Sequence, residues 1–277
     1  AWNKSGDIQW VWILGCGVFA ILSMDSYAQV QRVLFRSAGV KVKQRESLAV
    51  ILASNSISQT MPGGQILAPA FVYKETRRWG ATSLVASWQL VMSGLLAGAG
   101  LAVLGLGGAV LAGVKYNPFS AIFGISGFVL FFGIVQHLAR NPSIAESIVL
   151  SAVRRWNKLR KKADFDEDAD KVSELFRQVS SVRLSGRDFM AAFGWSLFNW
   201  VADVACLAFA CWAAGGQPSI SGLMVAYATG KTVGTLIPLL PGGLGVVDLT
   251  LVPALTAAGM TATSALAAVL VYRAISY

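Results

Sequence analysis

Five ionisable residues lie within apolar stretches of the chain. A charge there costs free energy, so such residues are candidates for a functional site. They are Asp25, Asp203, Lys231, Asp248 and Arg273. A lysine and an arginine in a cleft of low dielectric suit a phosphate group. Asp203 or Asp248 could balance that charge, bind a cationic headgroup or exchange a proton. Alternatively, these side chains form internal ion pairs that hold a bundle of helices together.

A second feature is a short pattern that occurs twice, with the copies 179 residues apart. The first copy is Pro62, Gly63, Gly64 and a later Gly80, and the second is Pro241, Gly242, Gly243 and a later Gly259. A Pro-Gly-Gly within apolar sequence breaks a helix, and a bilayer tolerates such a break where it lines a cavity. Two breaks in corresponding halves indicate a transporter binding site. A helix starting after each break would add N–H donors for an anion.

Two amide side chains precede the first break. Asn55 and Gln59 are four residues apart, so they share one face of a helix. They could line a cavity, or they could satisfy backbone groups that the break leaves open. Both interpretations stand at this point.

The composition excludes several other kinds of site. The chain has one histidine, His137, and three cysteines in apolar runs, which we interpret as small buried side chains. It has no nucleophile elbow and no phosphate-binding loop, so we predict no catalytic residue, metal or cofactor. The net charge of +9 comes from basic connections between apolar segments, so we expect no nucleic-acid partner.

The elements that position these residues are membrane helices. Hydrophobic residues make up 55% of the 277 residues and charged residues 13%. Uncharged runs such as residues 81–113 and 119–138 are long enough to cross a bilayer, although the first could be one span or two. We therefore predict an all-α, multi-pass protein of the cell membrane, with one domain over residues 1–277. Because the chain starts without Met and ends in apolar sequence, we expect a piece of a longer protein.

Basic clusters predict how the segments are arranged. They flank residues 48–73 on both sides, so this segment should enter and leave on the cytoplasmic face as a re-entrant hairpin. The second hairpin, residues 220–257, should dip in from outside. The result is two inverted repeats, about 48–138 and 189–277, joined by a cytoplasmic connection over 140–187. The helix between Arg154 and Lys162 should lie on anionic lipid, or else be a solvated linker.

The second break and its surroundings resemble a known family. The run from Pro241 to Asp248, the later Gly259 and the final Tyr272-Arg273 are similar to the transmembrane domain of the lysylphosphatidylglycerol synthetase/flippase family. The run from Asn55 to Gly64 is similar to that family's first loop. The resemblance implies a helix bundle that moves aminoacylated phospholipid between leaflets, with relatives that handle polyprenyl-linked lipids. Many members have Glu where Asp248 stands. The separate aminoacyltransferase domain of bifunctional members is absent from these residues.

Three functions are compatible with these residues. The leading hypothesis is a flippase that moves a phosphate-containing lipid, either a phospholipid or a polyprenyl-linked lipid, by alternating access. The alternatives are an ion-coupled carrier of a small solute and a non-transporting membrane anchor for a lipid-modifying enzyme. A homo-oligomer is compatible with each, and the lipid, direction and energy source stay open.

Overall fold

The computed structural model describes residues 10–113, 184–236 and 245–276. These residues form eight α-helices and, within the described ranges, no β-strand, as the sequence predicts. The predicted span at 119–138 and the surface helix between Arg154 and Lys162 lie outside them. The helices are α1 (Trp10–Ser37), α2 (Gln44–Thr60), α3 (Gly64–Arg78), α4 (Ser83–Leu111), α5 (Gly186–Ala213), α6 (Ile220–Leu236), α7 (Val246–Ala257) and α8 (Ala262–Ser276).

Three of the described helices are long and apolar enough to cross a membrane. They are α1, α4 and α5, with 28, 29 and 28 residues. At 1.5 Å per residue each is about 42 Å long, which exceeds the roughly 30 Å hydrocarbon core of a bilayer. The long uncharged run therefore forms one continuous helix, α4, instead of two short spans. This answers the question that the sequence left open.

The repeated glycine of the sequence pattern ends a short helix in both halves. Gly80 follows α3 with a φ of 86°, and Gly259 follows α7 with a φ of 106°. Glycine adopts this left-handed conformation without the steric cost that a Cβ brings, so it lets the chain reverse into the next helix. The Thr82 hydroxyl then accepts a hydrogen bond from the N–H of Val85 and caps α4.

Helices α1 and α5 form the centre of the bundle and run antiparallel. The rings of Trp12 and Trp212 lie 5.1 Å apart near one end. The Sγ atoms of Cys16 and Cys206 are 3.0 Å apart further along. At the other end, Arg36 Nη2 lies 2.7 Å from Asp188 Oδ1. Residue numbers rise along α1 while those of its partners on α5 fall, so the two helices point in opposite directions. All three cysteines are buried and free, which confirms their predicted role as small core side chains.

Within the described residues, glycines bring α4 close to α5 and α6. A Cβ on Gly100 would come within 2.8 Å of Trp200, and one on Gly108 within 2.6 Å of Met224 Cβ. The spacing of Gly94 and Gly98 is typical of a helix-packing pair. A Cβ at either of these two positions would meet no described atom within 4 Å.

The two halves of the described chain pack in the same order. In each half the first helix contacts the second and the fourth, the second contacts the third, and the third contacts the fourth. Helices α1–α4 make up one half and α5–α8 the other. The repeat bounds expected from the sequence, about 48–138 and 189–277, stay a prediction.

Candidate functional site

A polar cavity of about 400 Å³ lies between the two halves. Seven of the eight helices contribute to its wall. Its polar lining is mainly amides and hydroxyls, with one acid and one base. The polar lining residues are Ser23, Tyr27, Gln31, Ser54, Asn55, Ser58, Gln59, Gln65, Gln89, Asn199, Asp203 and Lys231. Such a lining is unusual inside an apolar bundle, because each polar group there needs a hydrogen-bond partner.

Two lining glutamines have a polar atom without a partner among the described residues. Gln31 uses its Oε1 to accept from Ser47 Oγ at 2.6 Å, but its Nε2 donates to nothing. Gln89 donates from Nε2 to Ser93 Oγ at 2.8 Å, but its Oε1 accepts from nothing. Both side chains are almost fully buried. A buried donor and a buried acceptor left open in one cavity favour a polar occupant, because an unsatisfied buried group costs about 1–3 kcal/mol.

Asp203 is the centre of the charged part of the wall. Its Oδ2 accepts a short hydrogen bond from the Tyr227 hydroxyl and lies 3.3 Å from Lys231 Nζ. Its Oδ1 accepts from the Tyr272 hydroxyl at 3.1 Å and from the Ser276 hydroxyl at 3.4 Å. Asp203 is only 5% exposed, so these donors from α6 and α8 replace the water that it lacks.

Lys231 is the more accessible member of this pair. Its side chain is 26% exposed, against 8% for Asp203, and its Nζ lies 5.5 Å from the centre of the Tyr227 ring. An ammonium group has three N–H donors and one lies toward Asp203. The positive end of the pair is therefore the end that a ligand in the cavity can reach.

Two other predicted site residues, Asp248 and Arg273, are not part of the cavity lining. Arg273 Nε is 2.6 Å from Asp248 Oδ1, and Asp248 Oδ2 accepts from the N–H of Gly245 at 3.1 Å. Asp248 thus caps the start of α7 and holds Arg273 of α8 beside it. Lys231 and Arg273 therefore contact different carboxylates, and of the two cations Lys231 is the one that lines the cavity. Asp25 also lies outside the lining and accepts from Gln44 Nε2 at 2.8 Å.

The first Pro-Gly-Gly forms the turn between α2 and α3, which pack against each other. Gly63 has a φ of 67°, and a Cβ on Gly64 would lie 2.2 Å from the carbonyl oxygen of Ile57. Asn55 and Gln59 reach the cavity from α2, where Gln59 Nε2 donates to Asn55 Oδ1 at 3.4 Å. Pro62, Gly63 and Gly64 themselves shape the turn and are not lining residues. The second break, Pro241, Gly242 and Gly243, lies outside the described residues.

Comparison with known proteins decides the family. A family model described as the lysylphosphatidylglycerol synthase TM region matches residues 3–277. The chain belongs to this family. No curated protein matches the sequence. The match confirms the resemblance seen in the sequence and gives the protein a lipid-related role in a membrane.

In this member of the lysylphosphatidylglycerol synthase TM family, the cavity combines matching positions from the two halves. The ends of α1 and α5 are 176 residues apart, as are the starts of α2 and α6, which is three residues fewer than the offset between the Pro-Gly-Gly copies. This offset pairs Ser23 with Asn199, Tyr27 with Asp203, and Asn55 with Lys231, all of which line the cavity. Asn199 Nδ2 donates directly to Ser23 Oγ at 2.7 Å. One half supplies neutral groups where the other supplies the charges.

Several lining residues were not among the site residues predicted from the sequence. Four of them lie on helices α1 and α4, far in sequence from either Pro-Gly-Gly: Ser23, Tyr27, Gln31 and Gln89. The available signal was a polar side chain within a membrane-length helix, which is expensive unless it faces a partner or a cavity. Applying that rule to amides and hydroxyls as well as charges would have found them.

Proposed function

We propose that this protein is a lipid flippase that moves the headgroup of a phosphate-containing lipid through the polar cavity while the acyl tails stay in the bilayer. The observation that carries this proposal is the open hydrogen-bonding capacity of the cavity, in Gln31 Nε2 and Gln89 Oε1, beside the accessible ammonium of Lys231. Membership of a lipid-related membrane family supports a lipid as the cargo.

The arrangement of the halves supports access from both leaflets. Matching residues Ser23 and Asn199 contact each other where the antiparallel helices α1 and α5 cross. A two-fold axis at this contact would exchange antiparallel helices, and therefore would turn one half upside down relative to the other. Inverted halves of this kind can expose a central site to each side in turn. The α2–α3 turn would then be the tip of a re-entrant hairpin, as the sequence predicts.

Lys231 is the proposed contact for the phosphate. Asp203 already accepts from three hydroxyls and from Lys231, so it has little capacity left for a cationic headgroup. The Lys231 side chain lies in the cavity wall and is 26% exposed, so its ammonium group can be reached by a phosphate oxygen. The surrounding amides and hydroxyls would bind the uncharged part of the headgroup.

Leaflet exchange of fluorescent lipids in sealed vesicles tests the proposal. The purified protein is reconstituted, and a chemical quencher that cannot cross the bilayer measures how fast labelled lipid reaches the outer leaflet. We expect exchange of labelled phosphatidylglycerol above that of empty vesicles, and at least a tenfold slower rate for Lys231→Met. Arg78→Gln is the matched control, because Arg78 pairs with Glu75 on the surface of α3 away from the cavity lining. Exchange no faster than in empty vesicles for every headgroup tried would contradict the proposal.

One observation favours a second candidate, a non-transporting membrane module. Both Lys231 and Arg273 contact carboxylates, as they would if their role were only to hold helices together. In that case Lys231→Met should lower stability, and neither wild type nor the variant should exchange lipid faster than empty vesicles do. Measuring exchange and thermal unfolding on the same variant separates the two functions.

A further inference from the structure

A second polar depression lies at one end of the α1–α5 pair, away from the central cavity. It has a volume of about 250 Å³, and we call it the arginine groove. Its polar wall is formed by Gln29, Arg32, Arg36, Arg187 and Asp188, and Trp195 closes one side. None of these residues lines the central cavity. The groove therefore offers a binding surface of its own.

The charges of the groove do not cancel. Arg36 is held by Asp188, with Nη2 and Oδ1 2.7 Å apart, and the Ser185 hydroxyl donates to the other carboxylate oxygen at 2.8 Å. Arg32 lies one helical turn before Arg36 on the same face, and two like charges at this spacing repel each other. With Arg187 added, the described residues of the groove bring three guanidinium groups to one carboxylate. Within these residues the positive charges outnumber the negative by two, and a bound anion would reduce their repulsion.

The position of the groove suits a lipid headgroup more than a soluble anion. It lies where two membrane-length helices, α1 and α5, end and begin. Trp195 is 38% exposed there, and tryptophan is enriched at the level of the headgroups. The basic sequence around these arginines predicts the cytoplasmic side, where anionic lipids attract basic pockets between helices. Guanidinium groups pair with phosphate oxygens through two parallel hydrogen bonds, so they recognise the shape of a phosphate as well as its charge.

We propose that the arginine groove binds the phosphate of an anionic phospholipid, separately from the cargo site. Arg187 and Arg32, whose Nη1 also donates to Gln29 Oε1 at 3.4 Å, supply the guanidinium groups for the phosphate. The Arg36–Asp188 pair fixes the position of the groove between α1 and α5. The lipid is held at the surface of the bilayer, with its tails along the apolar faces of these helices.

Lipid binding to the delipidated protein in detergent micelles tests this proposal. The bound lipids are counted by native mass spectrometry after adding phosphatidylglycerol or phosphatidylcholine. The double variant Arg32→Gln/Arg187→Gln removes two charges and leaves the Arg36–Asp188 pair intact. Arg45→Gln/Arg78→Gln is the control, because it removes the same charge from exposed positions outside the groove.

We expect the groove variant to bind phosphatidylglycerol at least about fivefold more weakly, with phosphatidylcholine unchanged and the control within about twofold of wild type. Inorganic phosphate should not displace the lipid. Equal losses in both double variants, undiminished binding in the groove variant, or displacement by inorganic phosphate would each overturn the proposal. If the double variant does not fold, Arg187→Gln alone should still weaken binding by roughly fivefold, about the effect of one charge. Because the readout is binding, failure here leaves the flippase proposal untouched.

Discussion

Replacing Asp203 by alanine should destabilise the protein strongly, because the change leaves Lys231 beside a cavity wall without its carboxylate. Breaking a buried ion pair by removing one partner costs about 3–5 kcal/mol. Lys231 is 26% exposed, which allows some solvation, so we expect the lower end, about 3 kcal/mol. At 2–4 °C per kcal/mol for a domain of this size, the midpoint of thermal unfolding should fall by about 6–12 °C. Lys231→Met should cost less, about 1 kcal/mol, because three hydroxyls still donate to Asp203.

The double variant Asp203→Ala/Lys231→Met measures the free energy of coupling between the two charges, apart from the other effects of each substitution on stability. It removes both charges, so it should recover about 1–2 kcal/mol relative to Asp203→Ala alone. Thermal unfolding in nanodiscs, followed by tryptophan fluorescence, measures each variant. Glu75→Ala is the control, since the Glu75–Arg78 pair lies on a helix surface and should contribute less than about 1 kcal/mol. If the losses of the two single variants simply add, the contact between Asp203 and Lys231 carries no coupling and the reasoning is refuted.

Two other changes test the packing around the site. Gly64→Ala should lower stability by about 1–3 kcal/mol in the same unfolding assay, because its Cβ would lie 2.2 Å from a backbone oxygen of α2. Gly98→Ala is the control. Its Cβ would meet no described atom within 4 Å, so the change should be neutral or slightly stabilising. Cys16 and Cys206 should be cross-linked by a mild oxidant such as copper phenanthroline, since their Sγ atoms are 3.0 Å apart. After proteolysis between α4 and α5, the two fragments should stay joined on a non-reducing gel in wild type and in Cys211→Ser but separate in Cys206→Ser. Separation in wild type would contradict the contact between α1 and α5 at these cysteines.

The helices could be predicted from the sequence because their signals are local. The apolar run at 81–113, the capping Thr82 and the two terminating glycines Gly80 and Gly259 each act within a few residues of themselves. The resemblance to the lysylphosphatidylglycerol synthase TM family was also visible in short segments, and the family model that matches residues 3–277 confirms it.

The partners of the charged residues could not be predicted, because they depend on how distant helices meet. Both Asp203 and Asp248 could have paired with either cation, and only packing assigns Asp203 to Lys231 and Asp248 to Arg273. The glycines at which α4 packs closely were equally hard to predict. Glycine spacing is a property of one helix, whereas close packing also needs a neighbouring helix at the same height, as α5 and α6 provide at Gly100 and Gly108.

The most direct test of the cavity as the headgroup pathway is to block it and measure leaflet exchange. Asn55→Cys, in a chain whose three native cysteines are replaced by alanine, places a reactive thiol on the cavity wall at the position that matches Lys231 in the other half. If headgroups pass through the cavity, a bulky impermeant thiol reagent should label this site from either side of sealed vesicles and stop the exchange of labelled lipid. Exchange that continues at the unmodified rate after complete labelling would contradict the proposed pathway.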